Sequence, residues 1–163
     1  MESNTVLENA CVMNLTKWVN DLTPWYDMMT NTIYALESPT KAKQFEEDIN
    51  ERTTIVNDIN IALGQATEIN KKVEGQYTKV RDIVNKALKE KTTEVTIEAI
   101  DRDYGGCTVS TEEAQAILDE MQDQKNKAEL MVDYIFHAYN DILVPKFNHI
   151  FKPVEKAVNV HCV

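Results

Sequence analysis

Residues 5–22 space Val6, Leu7, Ala10, Cys11, Met13, Leu15, Trp18 and Leu22 three and four apart. That spacing predicts an amphipathic helix with one broad apolar face. Thr23-Pro24 reads as an N-cap followed by the first residue of a new helix. This second helix runs to about Glu37 and carries Trp25, Met28, Met29, Ile33 and Leu36 on its apolar side. Ser38-Pro39 repeats the punctuation and opens a third helix.

From Phe45 the period changes. Alternate steps of four and three give Phe45, Ile49, Arg52, Val56, Ile59, Leu63, Ala66, Asn70, Val73, Tyr77, Val80, Val84 and Ala87. All but Arg52 and Asn70 are apolar. A 3.5-residue step sustained over six heptads keeps one stripe facing a partner helix along its length. The register does not reset at "LGQATEIN", where a hairpin would need loop residues. Gly64 costs about 1 kcal/mol against Ala in a helix interior, which helices tolerate. The pattern therefore predicts one long helix over 39–100, about 75–90 Å of it between residue 40 and 90 or beyond. Asn70 on the stripe reads either as a buried register-setting polar group or as a wetted edge position.

"TTEVTIEAI", 92–100, is β-branched and partly alternating. A lone strand has nothing to pair with, so the stretch is assigned to the fraying end of the long helix. Gly105-Gly106 in "DRDYGGC" marks a turn. Ser110 and Glu113 then form a capping box, with Glu112 and Glu113 at the positive end of the next helix. Its stripe, Ala114, Ile117, Met121, Gln124, Ala128, Met131, Ile135, Ala138 and Ile142, is again a heptad. Residues 130–144 are apolar almost all round, which places them at the centre of the core. Pro145 ends this helix. The tail, 146–160, reads as a short amphipathic helix with Phe147, Ile150, Phe151, Val154 and Val158, bent at Pro153.

The fold class that follows is all-α: an elongated antiparallel helical bundle or coiled coil with one long central helix, in a single domain spanning residues 1–163. Two N-terminal helices occupy 5–37, the long helix 39–100, its antiparallel partner 110–144 and the amphipathic helix 146–160. Composition agrees. Four Gly and four Pro in 163 residues are too few for the turns of a sandwich or barrel. The 43% apolar fraction is enough to bury a core.

Charge narrows the partners. The net charge is −10 and is uneven, with two basic against eight acidic side chains over 104–145. No clustered positive charge is present to meet phosphates, which argues against nucleic acid. Cys11, Cys107 and Cys162 form no CxxC or ligand-spaced pair. An odd count suits a reducing compartment, so the expected location is cytoplasmic, and a secreted chain with a Cys107–Cys162 disulfide is the alternative. No signal peptide is seen at the acidic N-terminus. "AELMVDYIFHAYNDILV" is too short and too charged to span a membrane.

Catalytic chemistry needs a constellation, and none of the familiar phosphate-loop, metallohydrolase, nucleophile-elbow or di-iron spacings occurs. Glu129, Asp133, His137 and Asp141 stand four apart and could line one helix face as metal ligands. The competing reading is the polar strip of a crowded helix, and no cofactor or metal is expected. Trp18, Trp25, Tyr26, Met28 and Met29 could line an apolar pocket, or simply form core. Residues 41–63 resemble the middle helix of a spectrin-type repeat, with Trp18 placed like that repeat's first-helix tryptophan. The resemblance covers under half the chain and fails where that fold turns after its second helix. It is not taken as membership.

The expected function is therefore non-enzymatic: structural or protein-interaction work through helix–helix contacts, with a protein partner or a second copy. The seam residues Ile49, Val56, Ile59, Leu63, Asn70, Val73, Tyr77, Val80 and Val84, with Phe147 and Phe151 in the tail, are the candidate contacts. The alternative is a bundle that binds an apolar ligand or a membrane surface.

Overall fold

The computed structural model describes residues 10–97 and 107–155. In chain order the elements are α1 (Ala10–Asn20), α2 (Thr23–Leu36), α3 (Pro39–Glu47), α4 (Ile49–Glu90), β1 (Glu94–Ile97), β2 (Cys107–Ser110) and α5 (Thr111–His137). A π-helical turn, Ala138–Leu143, continues α5 into a short α6 (Val144–Lys146). The class is all-α, with one long helix packed against the others and a two-stranded hairpin. The residues form two compact units.

The first unit combines α1, residues 71–90 of α4, the hairpin and residues 111–128 of α5. Val73, Tyr77, Val80, Val84 and Ala87 are buried on α4, and Ala114, Ile117, Met121 and Ala128 on α5, as the two heptads predict. The hairpin reverses the chain, so the two helix segments are antiparallel. Lys125 confirms their register, reaching Glu74 at 3.5 Å and lying 5.3 Å from the centre of the Tyr77 ring. Lys72 lies 5.7 Å above Trp18 of α1.

The hairpin corrects the sequence reading over 92–97; residues 98–100 lie outside the described residues. The chain leaves α4 at Lys91, whose φ of 57° is left-handed. Thr92 N donates to Ala87 O and Lys91 N to Leu88 O, closing the helix in a Schellman pattern normally built on glycine. β1 then pairs antiparallel with β2, Glu94 opposite Ser110 and Thr96 opposite Thr108. The missing partner strand was "CTVS", and the two threonine hydroxyls meet at 3.0 Å. The Ser110 cap holds as expected, with Oγ accepting from Glu113 N. Of the expected turn 101–107, residues 101–106 lie outside the described residues, as do residues 5–9 of the first expected helix.

The second unit combines α2, α3, residues 49–70 of α4 and the chain from Glu129 on. Here the long-helix expectation needs its main correction. α3 stops at Glu47 and Asp48 is extended, with ψ 105°. Asp48 Oδ1 accepts from Asn50 N and Glu51 N, so it caps a new helix. α4 is consequently 42 residues, or about 63 Å. The break interrupts the stripe without shifting its phase. Ile49 becomes a first-turn residue, 65% exposed, and Arg52 donates to Glu46 O at the end of α3 instead of filling a seam position. From Ile59 the heptad resumes through Leu63, Ala66 and a buried Asn70. The helix runs unbroken through Gly64, where an added Cβ would meet no atom within 4 Å.

The end of α5 departs from the heptad in a second way. The π turn adopts i→i+5 bonding, which widens one turn and rotates every later side chain. Tyr139 and Leu143 take the inward positions, and the expected Ile142 is 40% exposed. Leu130 is also outside, so 130–144 is not apolar core all round.

The expected tail helix is not formed over 147–155; residues 156–160 lie outside the described residues. Phe147 leaves the helical region at φ −128° and ψ 49°, and a short turn follows. Pro153 then disfavours helix at Lys152. The tail's polar backbone groups are met by the π turn. Tyr139 Oη donates to Lys152 O at 2.8 Å. Asn140 Nδ2 donates to Val154 O, and Val154 N donates to Asn140 Oδ1. Beneath this clamp Phe45 sits edge-on to Phe147 at 5.0 Å and stacked on Phe151 at 6.0 Å, with Tyr139 edge-on to Phe151. Burial pushes the Tyr139 phenol above its ordinary value.

Candidate interaction surface

In the second unit α2 lies beside the end of α5, the two running in the same direction. The Tyr26 and Tyr134 rings are 4.7 Å apart. Thr30 Oγ1 donates to Tyr26 O and sits 3.2 Å from Tyr134 Oη. Ten residues past Tyr26 and twelve past Tyr134, Lys146 Nζ donates to Leu36 O at 2.8 Å. That ammonium satisfies an orphan carbonyl and places positive charge at the negative end of α2.

This side-by-side placement leaves large apolar side chains outside. Tyr34, one turn past Thr30, is 78% exposed, and Leu130, one turn before Tyr134, is 72% exposed. Ile142 lies two turns past Tyr134 on the same helix. Neither Tyr34 nor Leu130 is on a heptad position, so a search for seams passes over both. The available signal was their mismatch: a large apolar residue off the stripe of an amphipathic helix has nothing of its own chain to cover it.

The other side of α2 borders an open groove of about 500 Å³. Met28, Ala35, Leu36 and Ile55 supply its apolar walls, with Asp27, Lys41 and Glu51 at the rim. Of the expected aromatic–Met cluster, Met28 reaches this groove, Met29 is core and Tyr26 packs on Tyr134.

The sequence-derived contact residues fall elsewhere. Ile59, Leu63, Asn70, Val73, Tyr77, Val80, Val84, Phe147 and Phe151 are all buried within the chain. Val56 is half-buried and only Ile49 is open. The seam is therefore closed by the chain's own helices. The Glu129–Asp133–His137–Asp141 strip brings His137 Nδ1 to Asp141 Oδ2 at 2.5 Å. Among the described residues no group of three or more His, Cys, Asp or Glu is placed to hold a metal ion. Cys162, one end of the alternative disulfide, lies outside them. No helix among them is long and apolar enough to cross a membrane.

Comparison with family models, with curated proteins and with solved structures finds no match.

Proposed function

We propose that the chain is a non-enzymatic interaction protein, a helical bundle that presents an outer helix face to a protein partner. The observation that carries this reading is the contrast between a seam closed inside the chain and Tyr34 and Leu130 left largely open on helices that pack together. Large apolar side chains gathered on one face lose their hydration cost when a partner covers them. Titrating helical peptides of differing charge against the labelled chain, with mass by light scattering alongside, tests it. The expected result is a saturable complex or a concentration-dependent oligomer. A strict monomer that takes up no helical partner would overturn it.

The second reading, an apolar-ligand bundle, is favoured by the groove at Met28 and Ile55. An apolar fluorophore that brightens with the native chain and loses this response in Met28→Glu would support it over the first.

A further inference from the structure

We infer that the α2–α5 face docks a basic amphipathic helix of a partner protein, a deepening that rests on the interaction reading above. The apolar part of the face is the line Leu130, Tyr134, Tyr26, Tyr34 and Ile142, whose order is fixed by the Tyr26–Tyr134 contact and the common direction of the two helices. From Leu130 to Ile142 it covers about 18 Å at 1.5 Å per residue, three turns of a partner helix. Anchors one turn apart are what a helix laid in a groove reads with its own i, i+4 side chains.

Charge names the occupant. On α5 and the π turn that continues it, each apolar residue of the line follows an acid: Glu129-Leu130, Asp133-Tyr134 and Asp141-Ile142. Glu129, Asp133 and His137 follow one another a turn apart on α5, and His137 in turn reaches Asp141 in the π turn, so the acids run beside the apolar line. Glu37, one turn beyond Tyr34, adds an acid at the end of α2. Neither residues 18–40 nor residues 128–145 contain a single Lys or Arg. Lys146, next along, is turned to the Leu36 carbonyl. His137 lies against Asp141 within the acidic stripe. A partner with Lys or Arg flanking a Leu-type stripe meets both stripes at once, whereas a second copy would set acid against acid.

The test uses the full chain and two labelled synthetic helices of the same apolar pattern, one flanked by Lys and one by Glu, read by fluorescence anisotropy. The Lys helix is expected to bind at least about tenfold more tightly than the Glu helix at low salt, and to weaken about fivefold or more by 0.3 M salt. The double variant Tyr34→Ser with Leu130→Ser is expected to lose about tenfold in affinity for it, the scale of a central anchor. Asp133→Asn with Asp141→Asn is expected to reduce chiefly the salt dependence. Leu88→Ser, a half-exposed apolar residue in the first unit, should change nothing. Circular dichroism melts establish that each variant is folded, and Leu130→Lys serves as a second variant if the serine pair melts early.

Equal loss with Leu88→Ser means diffuse attraction to an acidic protein and overturns the inference. Tighter binding of the Glu helix, or insensitivity to the serine pair, overturns it while leaving the interaction reading intact. Self-association abolished by Leu130→Lys makes the occupant a second copy and again overturns only the inference. Absence of any complex or oligomer overturns both.

Discussion

The two units solve the same problem with different side chains. The first buries a repeating series of medium-sized residues, Val73, Val80, Val84, Ile117 and Met121, between antiparallel helices. The second concentrates its burial in a cluster of rings, Phe45, Tyr139, Phe147 and Phe151, and leaves other large side chains open. A repeating seam distributes stabilisation, so no one residue dominates. A ring cluster concentrates it, because each aromatic buries a large area and several contacts share every ring.

The largest expected effect follows from that contrast. Phe147→Ala should cost about 3–5 kcal/mol, removing a fully buried ring from three-way packing. Hydrogen exchange should show the loss in α3 and in 138–155, with residues 73–87 still protected. Uniform loss through both units would mean that they share one cooperative core and would erase the distinction.

What the sequence made legible divides along the same line. The seam from Ile59 to Ala87 and its partner from Ala114 to Ala128 were readable, because a 3.5-residue period sustained for several turns has few other physical causes. The second unit was less so. Asp48 breaks the helix without glycine or proline, simply because its carboxylate can cap either the old backbone or a new helix. The chain's own arithmetic hid this, since the heptad count happened to pass across the break. The π turn has no compositional mark, so its effect on Tyr139, Leu143 and Ile142 could not be anticipated. The hairpin was missed for a different reason: "TTEVTIEAI" looked like a strand, but its partner was four residues that belong equally well to a turn. Tyr34 and Leu130 escaped because periodicity identifies what packs within a chain, not what is left over.

The clamp on the tail gives the next largest effect. Tyr139→Phe should cost about 1 kcal/mol, deleting the hydrogen bond to Lys152 O. It also carries a pH signature. Burial raises the folded phenol above its value in the unfolded chain, so the neutral form is favoured in the fold. That contribution is fully present below the unfolded value of about 10 and is lost as pH rises through the folded one. Melting temperature should therefore fall less steeply above pH 10 in Tyr139→Phe than in the parent chain. Matching slopes would show that the phenol is not the group responsible.

Helix ends sharpen the comparison at about the same scale. Asp48→Ala should destabilise by about 1 kcal/mol, because Asn50 N and Glu51 N lose their acceptor. Its exchange effect should stay in the second unit. Lys91→Gly should act in the first unit and with the opposite sign. A left-handed non-glycine residue carries strain of about 1 kcal/mol, and glycine relieves it within the same Schellman bonds.

The smallest expected effects come from the two glycines within α4, Gly64 in the second unit and Gly75 in the first. An added Cβ meets nothing within 4 Å at either, so no clash offsets the gain in helix propensity. Each Gly→Ala change should stabilise by about 0.5–1 kcal/mol, largely by restricting the unfolded chain. The single variants, melted in parallel, should give equal shifts, because backbone propensity is indifferent to whether the neighbouring core is a seam or a ring cluster. Unequal shifts would mean that one stretch of α4 frays before the chain unfolds as a whole. A smaller gain at Gly64 would locate that fraying in the second unit.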